Sequence, residues 1–90
     1  MLRQWGGQVR AAVQRQARRP AGARIAGTVQ LQLNVHSNGR LASVRVVQSS
    51  GHPALDRAAI EAAQRARLPG APRGLEAGTY RFNLPVAFQG

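Results

Sequence analysis

The ionisable side chains of this ninety-residue chain are almost all of one kind: thirteen arginines stand against Asp56, Glu61 and Glu76, with His36 and His52 the only histidines and no cysteine at all. A guanidinium stays charged at every working pH and grips phosphate or carboxylate, but it does not shuttle protons. Neither histidine has a second ligand at the spacing that a metal site uses. Asp56 and Glu61 lie five residues apart on one predicted helix, which gives paired acid–base catalysis little to work with. Ser49 and Ser50 lack a histidine–carboxylate relay, and no glycine-rich phosphate cradle follows a strand. Without cysteine there are no disulfides, no thiolate chemistry and no cysteine-type zinc or iron–sulfur centre, and the redox compartment stays open. The residues read as a binding module, with no catalytic group, no metal and no cofactor.

The formal net charge of +10 draws acidic partners: nucleic acid, anionic lipid headgroups or acidic protein loops. Charge alone does not choose among them. A chain of this length is one domain and buries only about 60 to 65% of its unfolded surface, so its core is thin. With 43% hydrophobic but only 4% aromatic residues, Val, Leu and Ala do most of the packing. No apolar run reaches the roughly 20 residues of a membrane span, and residues 1–7 lack the apolar stretch of a signal peptide.

Hydrophobic spacing defines the elements that must position any binding surface. In residues 8–19, Val9, Ala12, Val13 and Ala17 recur at helical spacing while Arg10, Arg15 and Arg18 fall on other faces. Pro20 and Gly22 close that helix, and the Gly6-Gly7 pair argues against an earlier start, which leaves residues 1–7 as a lead ahead of a domain over residues 8–90. Trp5 is expected to fold back onto the domain as an anchor. From Gly27 the period becomes two: Val29, Leu31, Leu33 and Val35 alternate with Thr28, Gln30, Gln32 and Asn34. Asn38-Gly39 signals a tight hairpin turn because both residues tolerate positive φ, so a strand over Leu41–Gln48 pairs antiparallel with the first. Pro53 and Asp56 suit the start of a helix running to about Arg67, whose Leu55, Ala58, Ala59, Ala62, Ala63 and Ala66 form a stripe of small residues with Ile60 at its margin. A loop rich in proline and glycine then leads to a third alternating strand, with Tyr80, Phe82, Leu84, Val86 and Phe88 on one face.

The expected fold is α+β, in the order α-β-β-α-β. A right-handed crossover places the third strand beside the first, giving a three-stranded antiparallel sheet of order 2-1-3 with its helices on one face. Pro85 supports that placement, since a proline lacks the N–H of a ladder and belongs at an edge. If its missing donor lies on the open side, Arg81, Asn83 and Ala87 aim their amides outward too, and Tyr80, Phe82, Leu84 and Val86 bond inward. Such an edge either carries Arg81 and Pro85 as guards against aggregation or accepts a foreign strand.

Gly27-Thr28-Val29 opening a strand, Asn38-Gly39 in its turn, Val44-x-Val46 leading to Ser49-Ser50-Gly51, Leu55-Asp56-x-x-Ala59, the Leu68-Pro69 exit and the ending Leu84-Pro85-Val86-x-Phe88 together resemble the TonB C-terminal domain. The similarity covers about residues 20–88. It implies a periplasmic domain of an inner-membrane-anchored energy transducer in a Gram-negative bacterium. Such a domain captures the TonB box of an outer-membrane transporter by strand addition, in the service of iron, heme or other uptake. Carried onto this chain, the site falls on Tyr80, Arg81, Phe82, Asn83, Leu84, Pro85 and Val86. Relatives reach an ExbB–ExbD motor through an N-terminal anchor and a proline-rich spacer that this sequence lacks, so the chain is expected to be a piece of a longer protein. Many relatives show Tyr-Pro before the first strand where this chain has Arg19-Pro20. Arg18 and Arg19 either meet acidic residues on the transporter or are solvated at a helix end. Two rivals stand beside this reading: a basic nucleic-acid module, disfavoured because the aromatic residues share the inward face, and a domain that dimerises through the same edge.

Overall fold

The computed structural model describes residues 2–18 and 26–88. The chain folds as α1 (Leu2–Gln16), β1 (Gly27–His36), β2 (Leu41–Gln48), α2 (Pro53–Arg65) and β3 (Thr79–Phe88). The sheet is antiparallel throughout, in the order β2-β1-β3. This is the architecture that the alternating segments and the short hairpin require.

The core lies between one face of the sheet and the two helices. Val29, Leu31, Leu33 and Val35 of β1 are fully buried, joined by Leu84, Val86 and Phe88 of β3. Val44 and Val46 of β2 pack against the same core from its margin. From the other side come Val9, Ala12 and Val13 of α1 and Leu55, Ala58, Ala59, Ala62 and Ala63 of α2. Alanine shortens the distance at which a helix can lie on a sheet, so α2 fills little volume itself and lets the branched residues of β1 reach the helix layer.

The start of α1 differs from the sequence expectation. The helix does not begin after Gly6-Gly7 but runs through them from Leu2. A glycine in a helix interior costs about 1 kcal/mol relative to alanine. Trp5 repays that cost: it is completely buried, meets Tyr80 and Phe82 edge-on with ring centroids 5.5 and 5.0 Å away, and donates its indole N–H to the Pro69 carbonyl at 2.8 Å. The helix also stops at Gln16, ahead of Arg18. Arg19, Pro20 and Gly22 fall outside the described residues.

The hairpin turn is corrected in detail as well. Among the described residues only glycines have positive φ, so Asn38 does not adopt the left-handed conformation, whereas Gly39 does, at φ +90°. Asn38 contributes instead through its side chain, whose Oδ1 accepts the Arg40 N–H at 2.9 Å. The Gly39 N–H donates to the His36 carbonyl at 2.8 Å. A side chain at Gly39 would also be blocked, because its Cβ would come 2.7 Å from the Leu68 carbonyl oxygen. The turn thus doubles as a docking point for the loop between α2 and β3, which is further held by Ala71 N–H to Ser37 O and Ser37 N–H to Gly78 O, both at 2.8 Å.

α2 ends at Arg65, two residues short of the expected limit, because Ala66 is already extended. The following Leu68 precedes a proline, which disfavours helical backbone. Register shifts in the β1–β2 pairing leave Ala42 and Val47 as the unpaired extra residues of two bulges, and Val47 is the large apolar side chain left exposed among the described residues. These bulges bend and interrupt the β2 edge. They leave β3 as the longer regular margin.

Candidate peptide-binding edge

β3 pairs with β1 along its whole length, from Gly27 opposite Phe88 to His36 opposite Thr79, and among the described residues no strand lies on its other side. In an antiparallel pair, facing residues either exchange both hydrogen bonds or neither. Three observations fix which is which. Pro85 faces Gln30 and has no N–H to give. The His36 N–H points away from β3 and donates to the Arg40 carbonyl at 2.8 Å. The Ala87 N–H, facing Thr28, turns outward and donates to Gln14 Oε1 at 3.0 Å. The pairs Thr28–Ala87, Gln30–Pro85, Gln32–Asn83, Asn34–Arg81 and His36–Thr79 are therefore the unbonded ones. Arg81 and Asn83 present both N–H and C=O to the open side, and Pro85 presents its carbonyl.

The inward set behaves as the alternation requires. Tyr80, Phe82, Leu84 and Val86 face Val35, Leu33, Leu31 and Val29 and share the helix side of the sheet. Leu84 and Val86 are buried; Tyr80 and Phe82 remain half-buried beside the margin, Tyr80 donating its hydroxyl to the Glu76 carbonyl at 2.7 Å. The opposite face of the sheet is polar and knit by side chains: Asn34 Nδ2 donates to Ser43 Oγ at 2.7 Å, and Arg45 Nε to Gln32 Oε1 at 3.0 Å. No aromatic ring of the described residues lies on that face.

α1 flanks the edge. A Cβ on Gly6 would lie 3.5 Å from the Phe82 ring, and Gln14 reaches Ala87 with two hydrogen bonds, Nε2 to its carbonyl at 2.9 Å and Oε1 from its N–H. Gly6, Arg10 and Gln14 are spaced by four and form one ridge of the helix, so exposed Arg10 lies on the flank that follows β3 from Phe82 to Ala87. Arg18, exposed just past α1, is beyond the Ala87 end. It is not brought next to the Arg81–Pro85 stretch, and Arg19 is outside the described residues. Among the described residues the one ion pair is Arg65–Glu61 on α2, so neither Arg10 nor Arg81 is neutralised. No cluster of ligating residues suited to a metal is found among the described residues.

The turn between β2 and α2 holds its residues as one hydrogen-bonded group. Asp56 accepts hydrogen bonds from the Ser49 hydroxyl, the Ser50 N–H at 3.0 Å and the Ser50 hydroxyl at 2.8 Å. Ser49 Oγ in turn accepts the Gly51 N–H at 3.0 Å, with Gly51 at φ +86°. The Ser49 hydroxyl is the main cause holding the Asp56 carboxyl below its ordinary value; partial burial opposes it, and Ser50 and the charge of His52 add to the lowering. Gly27 belongs to the same cluster, since a side chain there would press on Ser50 and Leu55 at 3.3 and 3.2 Å. Sequence reasoning gave Asp56 a place at the helix dipole but missed it as the acceptor that gathers the turn. Two serines seven and six residues before a helix-start aspartate carry that signal.

A three-stranded sheet backed by two helices, with one regular margin unpaired among the described residues and flanked by arginine, defines a small α+β domain. The family described as the Gram-negative bacterial TonB protein C-terminal matches residues 15–89, and the chain belongs to it. The solution structure of the Helicobacter pylori TonB C-terminal domain superposes with a TM-score of 0.77 at 24% identity, covering 96% of this chain and 80% of that one. A shorter version of the same domain gives 0.71 at 25% identity, covering 93% and 91%. TolAIII bound to a peptide derived from the N-terminus of TolB gives 0.61 at 25% identity, covering 87% and 70%. No curated protein matches the chain. No helix among the described residues is long and apolar enough to cross a membrane.

Proposed function

We propose that this domain couples an inner-membrane motor to an outer-membrane transporter by holding the transporter's TonB-box segment as a strand added to β3. The carrying observation is the outer side of Arg81, Asn83 and Pro85, which no other described strand pairs with, in a chain of the TonB C-terminal family. In strand addition the main chain supplies affinity and alternate side chains supply selectivity. Force then passes along backbone hydrogen bonds, and no catalytic residue is needed. The outward groups of Arg81, Asn83 and Pro85, each worth about 0.5 to 1.5 kcal/mol net before ordering costs, give a modest affinity suited to repeated capture and release. Arg10 and Arg81 favour a segment that carries carboxylates. The structurally similar TolAIII, bound to a peptide derived from the N-terminus of TolB, supports the reading.

The domain on this reading works in the periplasm, tethered through a segment that links it to an ExbB–ExbD motor. The transported cargo, whether iron, heme or another solute, is a property of the transporter. Titration of the isotope-labelled domain with a TonB-box peptide tests the proposal: the amides of Arg81 and Asn83 shift first. Shifts confined to the arginines of α1 would reject it. Duplex DNA at two salt concentrations separates the nucleic-acid alternative, whose binding collapses as counterions compete. A mass that rises with protein concentration would identify the edge as a contact between two copies of the chain.

A further inference from the structure

Gln14 occupies a position that a partner strand would otherwise take. Its carboxamide gives one donor and one acceptor to the outward carbonyl and N–H of Ala87, at 2.9 and 3.0 Å, as a peptide group of a neighbouring strand would. Both residues are exposed, so water could satisfy Ala87 equally well and the bond is not forced by burial. Nor does α1 depend on it for its seat, which Trp5, Val9, Ala12 and Val13 already fix by burial. The ridge Gly6–Arg10–Gln14 follows β3 only as far as Ala87, where Gln14 closes the margin.

We propose that Gln14 is a register stop, a positioning residue that ends the partner's ladder at the Pro85 carbonyl and leaves the stretch before it, Arg81 and Asn83 foremost, to pair fully. This rests on the strand-addition reading and makes it more specific. Without a stop, an edge of alternating residues accepts a partner in registers two residues apart, because each such shift keeps the same side chains on the same face. Pro85 does not block those shifts by itself, since its carbonyl still accepts. A side chain already holding both groups of Ala87 removes the next rung. The partner class that fits is a short extended segment of another protein whose pairing stretch spans Arg81 to Pro85, and whose continuation turns away from β3 at Ala87.

Amide hydrogen exchange on wild type and Gln14→Ala, each with and without a synthetic TonB-box peptide, decides the matter. In wild type the peptide is expected to slow exchange at Arg81 and Asn83 at least tenfold and to leave Ala87 unchanged. In Q14A without peptide, Ala87 loses its protection, while Phe82 and Leu84, bonded to β1, keep theirs and report an intact fold. With peptide, Q14A gains protection at Ala87 as well. Displacement of the Gln14 side-chain amide by the peptide in wild type, with Ala87 protected through the peptide, would overturn the stop while leaving strand addition standing. So would an identical set of protected amides in the two proteins. Absence of protection at Arg81 and Asn83 in both would overturn strand addition and the stop with it.

Discussion

Trp5 and Pro69 are joined by a 2.8 Å hydrogen bond from indole N–H to carbonyl, which ties the start of α1 to the loop that delivers the chain to β3. The ring is fully buried against Tyr80 and Phe82. The inward aromatic residues of β3 are therefore backed by a residue near the other end of the chain.

Replacing Trp5 by alanine is expected to cost about 3 to 5 kcal/mol, the range for emptying a large aromatic site. Set against the roughly 5 to 15 kcal/mol that holds a domain together, this threatens folding. Trp5→Phe keeps most of the ring and removes the bond to Pro69, for a loss of about 1 kcal/mol from the hydrogen bond itself. Urea denaturation of the two variants separates the contributions. Equal stability of Trp5→Ala and wild type would mean that the first helical turns do not belong to the core.

Asp56 makes stability depend on acid. Its carboxyl titrates below the ordinary value of 3.8 in the folded protein, mainly because the Ser49 hydroxyl bonds the ionised form. Protons then bind the unfolded chain more readily than the native one. The stabilisation is complete above the unfolded pKa and fades as pH falls from there through the folded pKa. Urea midpoints measured from about pH 5 downward should fall more steeply for wild type than for Asp56→Asn. Parallel curves would show that the turn draws nothing from the ionised carboxylate.

Gly39→Ala is expected to be strongly destabilising for two separate reasons. A non-glycine residue held at positive φ costs about 1 to 3 kcal/mol, and a Cβ 2.7 Å from the Leu68 carbonyl cannot be placed without moving backbone. Thermal unfolding checks the loss. Gly7→Ala is the contrast, because nothing lies within 4 Å of its Cβ and its helical conformation suits alanine. A gain of some tenths of a kcal/mol, up to about 1, is expected there.

Much of this fold could be read from the alternation of Val29 to Val35 and of Tyr80 to Phe88, because a period of two with one greasy face leaves few arrangements. Pro85 carried the placement of β3 at an edge through its missing N–H. The start of α1 was not legible, since local propensity at Gly6-Gly7 argues one way and the burial of Trp5, which depends on residues 69, 80 and 82, argues the other. Asn38 misled for a related reason: its tolerance of positive φ says nothing about whether its side chain will be used instead. Gln14 left no mark in the sequence at all. A polar residue on the outer flank of a helix becomes part of an edge only when the helix is laid beside that edge, seventy-three residues along the chain.

Asn83→Pro tests the edge most directly. By the alternation fixed at Pro85 and Ala87, the Asn83 N–H points to the open side, so its removal deletes nothing from the β1–β3 ladder. The neighbouring Phe82 is already extended, as a residue preceding proline prefers to be. The variant should therefore fold, with Phe82 and Leu84 amides still protected. It should also bind a TonB-box peptide more weakly by about 2- to 10-fold, the worth of one net hydrogen bond. Calorimetric titration gives the affinity and amide exchange gives the fold. Unfolding of the variant would place that donor on the β1 side and remove the outward row on which strand addition depends; unchanged affinity in a folded variant would mean that the partner does not pair with Asn83.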